Sequence, residues 1–297
     1  MRDAPLHYPI TAEYPIVLAR EHAAGSWVVR EKRGGPIVAH ANLWERTWTN
    51  GSSQFRIAFV GNVATDPDHQ GKGIMRKLLV HLEQTAMAAQ IRALTLWSDL
   101  ESFYQNCGYS SHGRENRYFL HWDELSKLNE RPGVSARAMS STEIDAMNVG
   151  PHANLLTSLL KHRYPTNWRV ERTDAEFARL LKIPDCMLYL IERNRQLCGY
   201  CILGKGADMQ GVIHEWGCED PAVLLCAMRA ILDRRGWTDI ILLAPATLTP
   251  AHHESIKPHA RRIETHPMAW AKLLDANSSE TFAAIGREGF IWGLDSI

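Results

Sequence analysis

The fold is decided by residues 55–82, which read FRIAFVGNVATDPDHQGKGIMRKLLVHL. The apolar, β-prone run at 55–64 predicts a strand, and the Asp-Pro-Asp turn at 66–68 ends it because proline cannot donate to a strand ladder. Beyond the turn, apolar residues recur every three or four positions through 74–89, and this spacing predicts an amphipathic helix. A strand, a turn and a helix therefore follow one another.

The turn that joins this strand to the helix reads QGKGIM, residues 70–75. Glycine lets the backbone approach a ligand and adopt conformations that a Cβ forbids. The first N–H groups of a helix have no internal partner and lie at the positive end of its dipole, so such a turn suits a phosphate or pyrophosphate. Lys72 adds a mobile cation. A plain strand-to-helix connection is the alternative, since a lone Gly-x-Gly is a weak signal.

A second stretch, residues 94–109, reads LTLWSDLESFYQNCGY and predicts another strand and a shorter helix. Ser98 and Glu101 have the spacing of a capping box at the start of that helix. Gly108 stands where a left-handed C-cap is expected.

The two stretches together resemble the Gcn5-related N-acetyltransferase (GNAT) superfamily. That family has Gln/Arg-x-x-Gly-x-Gly/Ala after its fourth strand and Tyr-x-x-x-Gly-Phe/Tyr after its fifth. Residues 70–75 match the first pattern except that Met75 replaces the small final residue, and residues 104–109 match the second in full. The resemblance implies an α/β (α+β) fold, a mixed and mostly antiparallel sheet flanked by helices.

The resemblance also implies an N-acyltransferase that uses acetyl-CoA, or another short acyl-CoA, as co-substrate and needs no metal. The pantetheine arm would pair with the end of the strand, where Gly61-Asn62 is expected to form a bulge, and an N–H near Val63 would polarise the thioester carbonyl. Tyr104 would protonate the departing thiolate, because a phenol with a pKa of about 10 is protonated at neutral pH. A core tyrosine and a capping Asp99 are the structural alternatives. The residues expected at the coenzyme are Val63, Ala64, Thr65, Gln70, Gly71, Lys72, Gly73, Ile74, Met75, Asp99 and Tyr104.

The general base is left open by the sequence. Some family members carry a glutamate on the fourth strand, but the corresponding residue here is Ile57, beside Arg56. The candidates are His40, Glu45, Asp99, Asp295 and the terminal carboxylate of Ile297, and a chain of water molecules is equally plausible.

The second half of the sequence restarts the family's order of elements after a polar stretch at 124–133 that ends in Pro-Gly. We therefore expect a catalytic GNAT domain at 1–125 and a degenerate GNAT-like domain at 134–297. The phosphate turn is replaced by Cys-Glu-Asp-Pro at 218–221, whose two carboxylates would repel a pyrophosphate.

The two ends of the sequence carry further expectations. Only about 25 residues precede the first clear strand at 26–31, with a short helix expected at 16–24, so the usual opening of the fold is either shortened or supplied from elsewhere in the chain. The closing strands of the first domain are expected as a hairpin at 109 and 117–122. The tail at 289–297, GFIWGLDSI, is apolar enough to pack. It would add a strand or pocket wall to the first domain, or an extra strand to the second sheet.

Composition narrows the class of partner. Lys and Arg total 33 and Asp and Glu total 33, so no basic face for nucleic acid is implied. No run approaches the ~20 apolar residues of a membrane span, and the first ten residues lack the apolar core of a signal peptide. Six irregularly spaced cysteines form no disulfide framework, and the Cys-x-x-Cys at 198–201 lies in a predicted strand, so no metal or redox role is expected. Cytoplasm is the expected location.

Two readings compete with a small-molecule enzyme. In one, the fold binds acyl-CoA or a metabolite as a sensor without catalysis, because Met75 would crowd the phosphate. In the other, the acceptor is a protein or peptide, which would need an open groove. The favoured partner is a small-molecule amine, not nucleic acid or a membrane, and the sequence leaves open whether the protein is a homodimer.

Overall fold

The computed structural model describes residues 8–129, 131–146, 155–207 and 209–296. In the first half of the chain the elements are α1 (Ile10–Glu13), β1 (Ser26–Arg30), β2 (Ile37–Thr49), β3 (Gln54–Thr65), α2 (Ile74–Ala88), β4 (Ala93–Leu96), α3 (Glu101–Gln105), β5 (Ser110–His121) and α4 (Trp122–Leu125). The strand–turn–helix predicted from residues 55–82 is confirmed as β3 and α2.

The second half continues with the same kinds of element. They are β6 (Val134–Ala138), α5 (Ser141–Ala146), α6 (Leu155–His162), β7 (Trp168–Val170), α7 (Asp174–Leu180), β8 (Met187–Arg193), β9 (Gln196–Leu203), β10 (Val212–Cys218), α8 (Pro221–Arg235), β11 (Asp239–Pro245), α9 (Pro250–Ile256), β12 (Ala260–Leu273), α10 (Ser279–Glu288) and β13 (Gly289–Phe290). The sequence also predicts a helix at 153–162; α6 is described from Leu155 onwards, and residues 153–154 lie outside the described residues.

One continuous sheet runs through the described part of the chain in the order β13-β7-β2-β3-β4-β12-β5-β11-β10-β9-β8-β6, with β1 paired to β2. Most neighbours are antiparallel, whereas β3–β4, β10–β11 and β13–β7 are parallel. The predicted fold class, two units of mixed and mostly antiparallel sheet flanked by helices, is confirmed.

The two units exchange their closing strands. β4 of the first unit pairs with β12 from the second half, while β11 of the second unit pairs with β5 from the first half. β5 and β12 also pair with each other along ten residue pairs. The hairpin predicted at 109 and 117–122 was therefore wrong, because residues 110–121 form one long strand, β5, that runs between two strands of the second half, while Tyr109 precedes it and Trp122 begins α4. The domain boundaries at 1–125 and 134–297 stay a prediction.

Side-chain alternation gives the β2–β3 sheet two apolar faces. Helix α2 covers one face through Leu79 and Leu82, which pack with Ala41 and Val60. The opposite face carries Trp44, Trp48, Phe55 and Phe59, which join the core shared with the second half of the chain. Burial of both faces makes the second half part of the first unit's hydrophobic core.

Two local expectations were wrong and a third was confirmed. Residues 16–24 do not form an α-helix; α1 is shorter and earlier, and residues 20–25 form a 3₁₀ turn. No capping box forms at α3, because that helix begins two residues later than expected, with Leu100 as N-cap. Ser98 Oγ accepts a hydrogen bond from the Leu100 N–H instead. Gly108 does adopt the expected left-handed conformation, with φ of 85°.

The tail closes the sheet edge beside β2. β13 pairs with β7, and β7 pairs with Trp48 and Thr49 at the end of β2, so the tail adds to the sheet on the first unit's side. Within the tail, Trp292 and Leu294 are fully buried. The first of the two alternatives for the tail is the one that the structure shows.

A buried charge network ties the tail to the second unit. Arg172 donates two hydrogen bonds to Glu215, at 3.0 and 2.9 Å, and pairs with Asp295 at 2.7 Å. All three side chains have no exposed surface. Tyr200 adds a hydrogen bond to Glu215 at 3.0 Å. Because buried charges are costly when unpaired, each member depends on the others.

Replacing Asp295 with Ala should lower the free energy of unfolding by about 3–5 kcal/mol, since Arg172 would keep a buried charge with half of its partners gone. The measurement is the urea midpoint. Glu45→Ala is the control, because it breaks an exposed pair with Arg56 at 3.0 Å and should shift the midpoint little. Equal shifts in the two variants would contradict the role given to the network.

Candidate functional site

The glycine turn is held open by its own short-range hydrogen bonds. Asp66 accepts from the Asp68 N–H at 3.0 Å, and the Gln70 side chain donates to the Thr65 carbonyl at 3.2 Å, which ties the turn to the end of β3. Gly71 and Gly73 have φ of 74° and 72°, a left-handed conformation that glycine adopts without strain. A Cβ placed on either glycine would meet nothing within 4 Å, so the space above the turn is free.

The turn presents a row of unpaired amides. Among the described residues, no group accepts a hydrogen bond from the N–H groups of residues 71–76, and the first paired N–H is that of Lys77, which donates to Gly73 at 3.2 Å. These donors stand at the N-terminus of the 15-residue helix α2, where the helix dipole adds positive potential. The arrangement suits an anion that can accept several hydrogen bonds at once.

The pairing of β3 with β4 stops before this turn, and we call the space beyond the last pair the cleft. The parallel pairing of the two strands ends at Phe59 and Thr95. Beyond that point β3 pairs only with β2, and a register shift places a bulge at Asn62, whose φ is 49°. The bulge predicted at Gly61-Asn62 is confirmed. Residues 63–65 therefore leave one backbone edge available within the cleft.

Tyr104 lies under the cleft in the core that packs on α2. It is 3% exposed, and its ring contacts Phe103 and Tyr109 at centroid distances of 5.0 and 5.7 Å. Burial raises the pKa of Tyr104 to about 12, with a smaller contribution from Cys107, while a hydrogen bond with Ser98 opposes the shift. The phenol therefore stays protonated at neutral pH. The same packing would suit a core tyrosine, so the catalytic role stays a prediction here.

The remaining expected coenzyme residues divide between the turn and the core. Gln70 and Lys72 are exposed at the turn and Ile74 is half-buried, whereas Met75 is 8% exposed and packs inward with Leu79. Its bulk therefore points away from the amides. Asp99 is exposed, and neither of its expected roles, capping or lining the site, is supported by a hydrogen bond among the described residues.

The candidate bases lie in different surroundings. Glu45 pairs with Arg56 at the surface, and Asp295 is held by Arg172 in the buried network. His40 lies at the bulge, with Nδ1 2.9 Å from the carbonyl oxygen of Asn62. A carbonyl only accepts, so this bond fixes the proton on Nδ1 and leaves Nε2 able to accept in the neutral ring. The Ile297 carboxylate lies outside the described residues.

The second unit fills its corresponding turn with its own carboxylate. Asp220 caps α8 and accepts from the N–H groups of Ala222 and Val223 at 2.9 and 3.4 Å, and Pro221 removes a donor. Behind the turn, the β10–β11 gap is packed by Trp216, whose Nε1 donates to the Leu243 carbonyl at 2.8 Å. The amide row of the first unit has no equivalent here, as the sequence predicted.

A polar cavity of about 970 Å³ lies where the two halves meet at β2. β1 covers residues 37–42 of β2 and β7 covers residues 48–49, so the edge between them borders the cavity. We call this cavity the interface pocket; its lining comes from residues 45–49, Arg56, and the segments 157–166 and 169–176. Sequence reasoning missed it, although three arginines and a lysine within residues 161–172 were a visible signal.

Comparison with known proteins indicates the class of protein that this chain resembles. Residues 17–111 match the family model described as acetyltransferase (GNAT) domain. A search of curated proteins gave no match. Similar solved structures include GCN5-related N-acetyltransferases from Kribbella flavida (18% identity, TM-score 0.57, 86% of this chain and 61% of that one) and Anabaena variabilis (14%, 0.59, 89% and 65%). Eis1 from Mycobacterium abscessus is similar at 13% identity and TM-score 0.56, over 92% of this chain and 71% of that one.

The fold is that of the GNAT superfamily. The segment 17–111 is similar in sequence to a GNAT domain, and the exchanged strands join it to a second unit with a similar order of elements. At these identities the solved structures show the fold alone, and the chain spans 61% and 65% of the length of the first two. In the described residues, no helix is long and apolar enough to cross a membrane, and no group of three or more potential metal ligands forms.

The raised pKa of Tyr104 predicts a loss of stability at high pH. The folded state holds the phenol proton more tightly than the unfolded state, whose tyrosine pKa is about 10, so the contribution is complete below pH ~10 and falls as pH rises towards 12. The free energy of unfolding, measured by urea titration at pH 9, 10 and 11, should fall less steeply with pH in Tyr104→Phe than in the wild type. The difference in slope should reach up to about 1.4 kcal/mol per pH unit. Parallel curves for the two proteins would contradict the buried, protonated phenol.

Proposed function

We propose that the protein is an acyl-CoA-dependent N-acyltransferase that transfers an acetyl or other short acyl group to a primary amine by direct attack in a ternary complex. The observation that carries this proposal is the row of unpaired N–H groups at 71–76 beside the open β3–β4 cleft. A diphosphate on the amides and an extended arm in the cleft together match the shape of a coenzyme A thioester.

The donor is bound by backbone groups in this proposal. The N–H groups of Gly71 to Arg76 hold the diphosphate, with Lys72 as an additional cation. Residues 63–65 offer their free strand edge to the pantetheine amides, in the way that one strand adds to another. Because these contacts use the main chain, they tolerate Met75, whose side chain packs into the core.

The chemistry needs a polarised carbonyl and two proton transfers. Bound acyl-CoA supplies a thioester carbon that forms a bond to the amine nitrogen as the C–S bond breaks. The N–H near Val63 donates to the carbonyl oxygen, and preorganised donors of this kind are worth about 10²–10³ in rate. Tyr104 gives its proton to the departing sulfur. His40 Nε2 accepts the proton lost by the amine, either directly or through water.

The sensor alternative loses the feature that favoured it. Met75 does not crowd the turn, since its side chain is buried against Leu79. A peptide acceptor has no specific observation in its favour, so a small amine remains the proposed acceptor. We propose cytoplasm as the location, with nucleic acid and membranes excluded as partners and homodimer formation left open.

Gly73→Ala should raise the Kd for coenzyme A about tenfold, because a side chain at φ of 72° strains the turn that aligns the amides. The matched control is Gly236→Ala. Gly236 has φ of 63° and equally open surroundings, but it ends α8 in the second unit. Isothermal titration of both variants gives the comparison. Equal affinity in the two would contradict coenzyme binding at the glycine turn.

Tyr104→Phe should lower kcat about 10²–10⁴-fold while leaving coenzyme A affinity unchanged, because the variant removes a proton donor without removing the ring. Coenzyme release from acetyl-CoA with a panel of amines is the assay. Tyr109→Phe is the control, since the Tyr109 hydroxyl is buried without a hydrogen-bond partner among the described residues. A full rate in Tyr104→Phe would remove this residue from the mechanism.

A further inference from the structure

Positive and negative charges are not balanced in the lining of the interface pocket, although they are balanced in the composition of the whole chain. Each carboxylate in its lining is already engaged by a donor from the chain. Glu45 pairs with Arg56, and Glu176 pairs with Arg46 at 2.5 Å. Two others accept hydrogen bonds: Glu171 accepts from Gln54 at 3.2 Å, and Asp174 accepts from Thr157 at 3.0 Å.

Two cations of the same lining make no ion pair in the described residues, and a third makes only a long one. Lys161 and Arg169 are exposed at the pocket and make no ion pair within the described ranges. Arg163 is 9% exposed, and within the described residues its guanidinium makes one hydrogen bond, a long one of 3.4 Å from Nη2 to the Val170 carbonyl. Its Nη1 has no hydrogen-bond partner among those residues and lies 3.9 Å from Asp295, in a long ion pair.

An under-satisfied buried guanidinium is costly, because each unpaired donor loses its hydration without a replacement. Nearby Arg46 adds a second buried donor without a partner, its Nε. An oxyanion ligand supplies acceptors for such groups, and arginine binds carboxylate and phosphate with matched geometry. Threonine hydroxyls at 47, 49, 157, 166 and 173 complete a polar lining.

A short chain of packed side chains lies between the pocket and the cleft. The Arg46 guanidinium lies 4.3 Å from the centroid of the Trp44 ring, and Trp44 contacts Phe59 edge to face at 6.2 Å. Phe59 is the last residue of β3 that pairs with β4. Arg46 pairs with Ile57, two residues before Phe59, so the pocket begins about 7 Å along the strand from the point where the cleft opens.

We propose that the interface pocket binds the anionic group of the acceptor, so that the substrate is a small primary amine that also carries a carboxylate or a phosphate. The anion lies at Lys161, Arg163 and Arg169, and the amine extends past Trp44 to the cleft. This inference rests on the proposed acyl transfer for the amine's role as acceptor, whereas binding of the anion is tested independently of turnover.

The binding test uses 3-aminopropyl phosphate as probe and observes its signal by ³¹P NMR. Coenzyme A is present at a saturating concentration, so that the glycine turn is already occupied. We expect broadening of the probe signal with the wild-type protein and at least about a tenfold weaker effect in Lys161→Gln/Arg169→Gln. Arg234→Gln/Lys257→Gln is the control with the same change in charge. Both of its residues are exposed, lie outside the pocket and make no ion pair in the parts of the chain described here.

Competition experiments show which anionic group the pocket binds and whether binding requires an anionic group. If 4-aminobutanoate displaces the probe as well as inorganic phosphate does, the pocket accepts a carboxylate. If 4-aminobutanoate displaces the probe more weakly, the pocket is specific for phosphate. Displacement by 3-aminopropanol at the same concentration would overturn the proposal, and so would equal binding to the two double variants or no binding to the wild type.

Turnover assays distinguish a failure of this inference from a failure of the proposed function. With acetyl-CoA, kcat/KM should be higher for 3-aminopropyl phosphate or 4-aminobutanoate than for 3-aminopropanol, and Lys161→Gln/Arg169→Gln should raise KM with kcat retained. A preference for the alcohol overturns the substrate class while acyl transfer stands. Binding without coenzyme release from any amine overturns the proposed function and the acceptor role, and leaves the anion site supported by the NMR result.

Discussion

Six consecutive backbone N–H groups, those of residues 71–76, point out of a helix N-terminus without an acceptor from the described residues. Unpaired amides are tolerated here because the turn is exposed, so water can bind them in place of a ligand. Their alignment depends on two glycines with left-handed φ and on the tie between Gln70 and the end of β3. In the proposed function, the cleft and Tyr104 act on a donor that this turn binds.

The second half of the chain serves the first in two ways. It donates β12 to the first sheet, and with β7, β13 and the buried Arg172–Asp295 pair it builds the wall opposite β2. At its own turn, Asp220 occupies the amides that a phosphate would need. One unit thus keeps the unpaired amides that we propose as the donor site, while the other supplies sheet, core and the positively charged side of the interface pocket.

The local elements near the glycine turn could be predicted because their signals are local: a proline, two glycines and a helical period fix β3 and α2 within a few residues. The exchange of β5 and β12 could not be predicted, because strand pairing depends on contacts between residues about 150 positions apart. Arg163 and Asp295 show the same limit. Each looks like an ordinary surface charge in the sequence, and their burial follows only from the packing of the tail. Met75 looked like a steric obstacle until its side chain was seen to face the core.

Hydrogen–deuterium exchange of the backbone amides, with and without coenzyme A, tests the central claim most directly. Bound coenzyme should slow exchange at residues 71–76 and leave the start of α8, at 220–224, unchanged. Protection at the start of α8, or no protection at 71–76 under conditions where coenzyme A binds, would contradict the assignment of the donor site to the first unit.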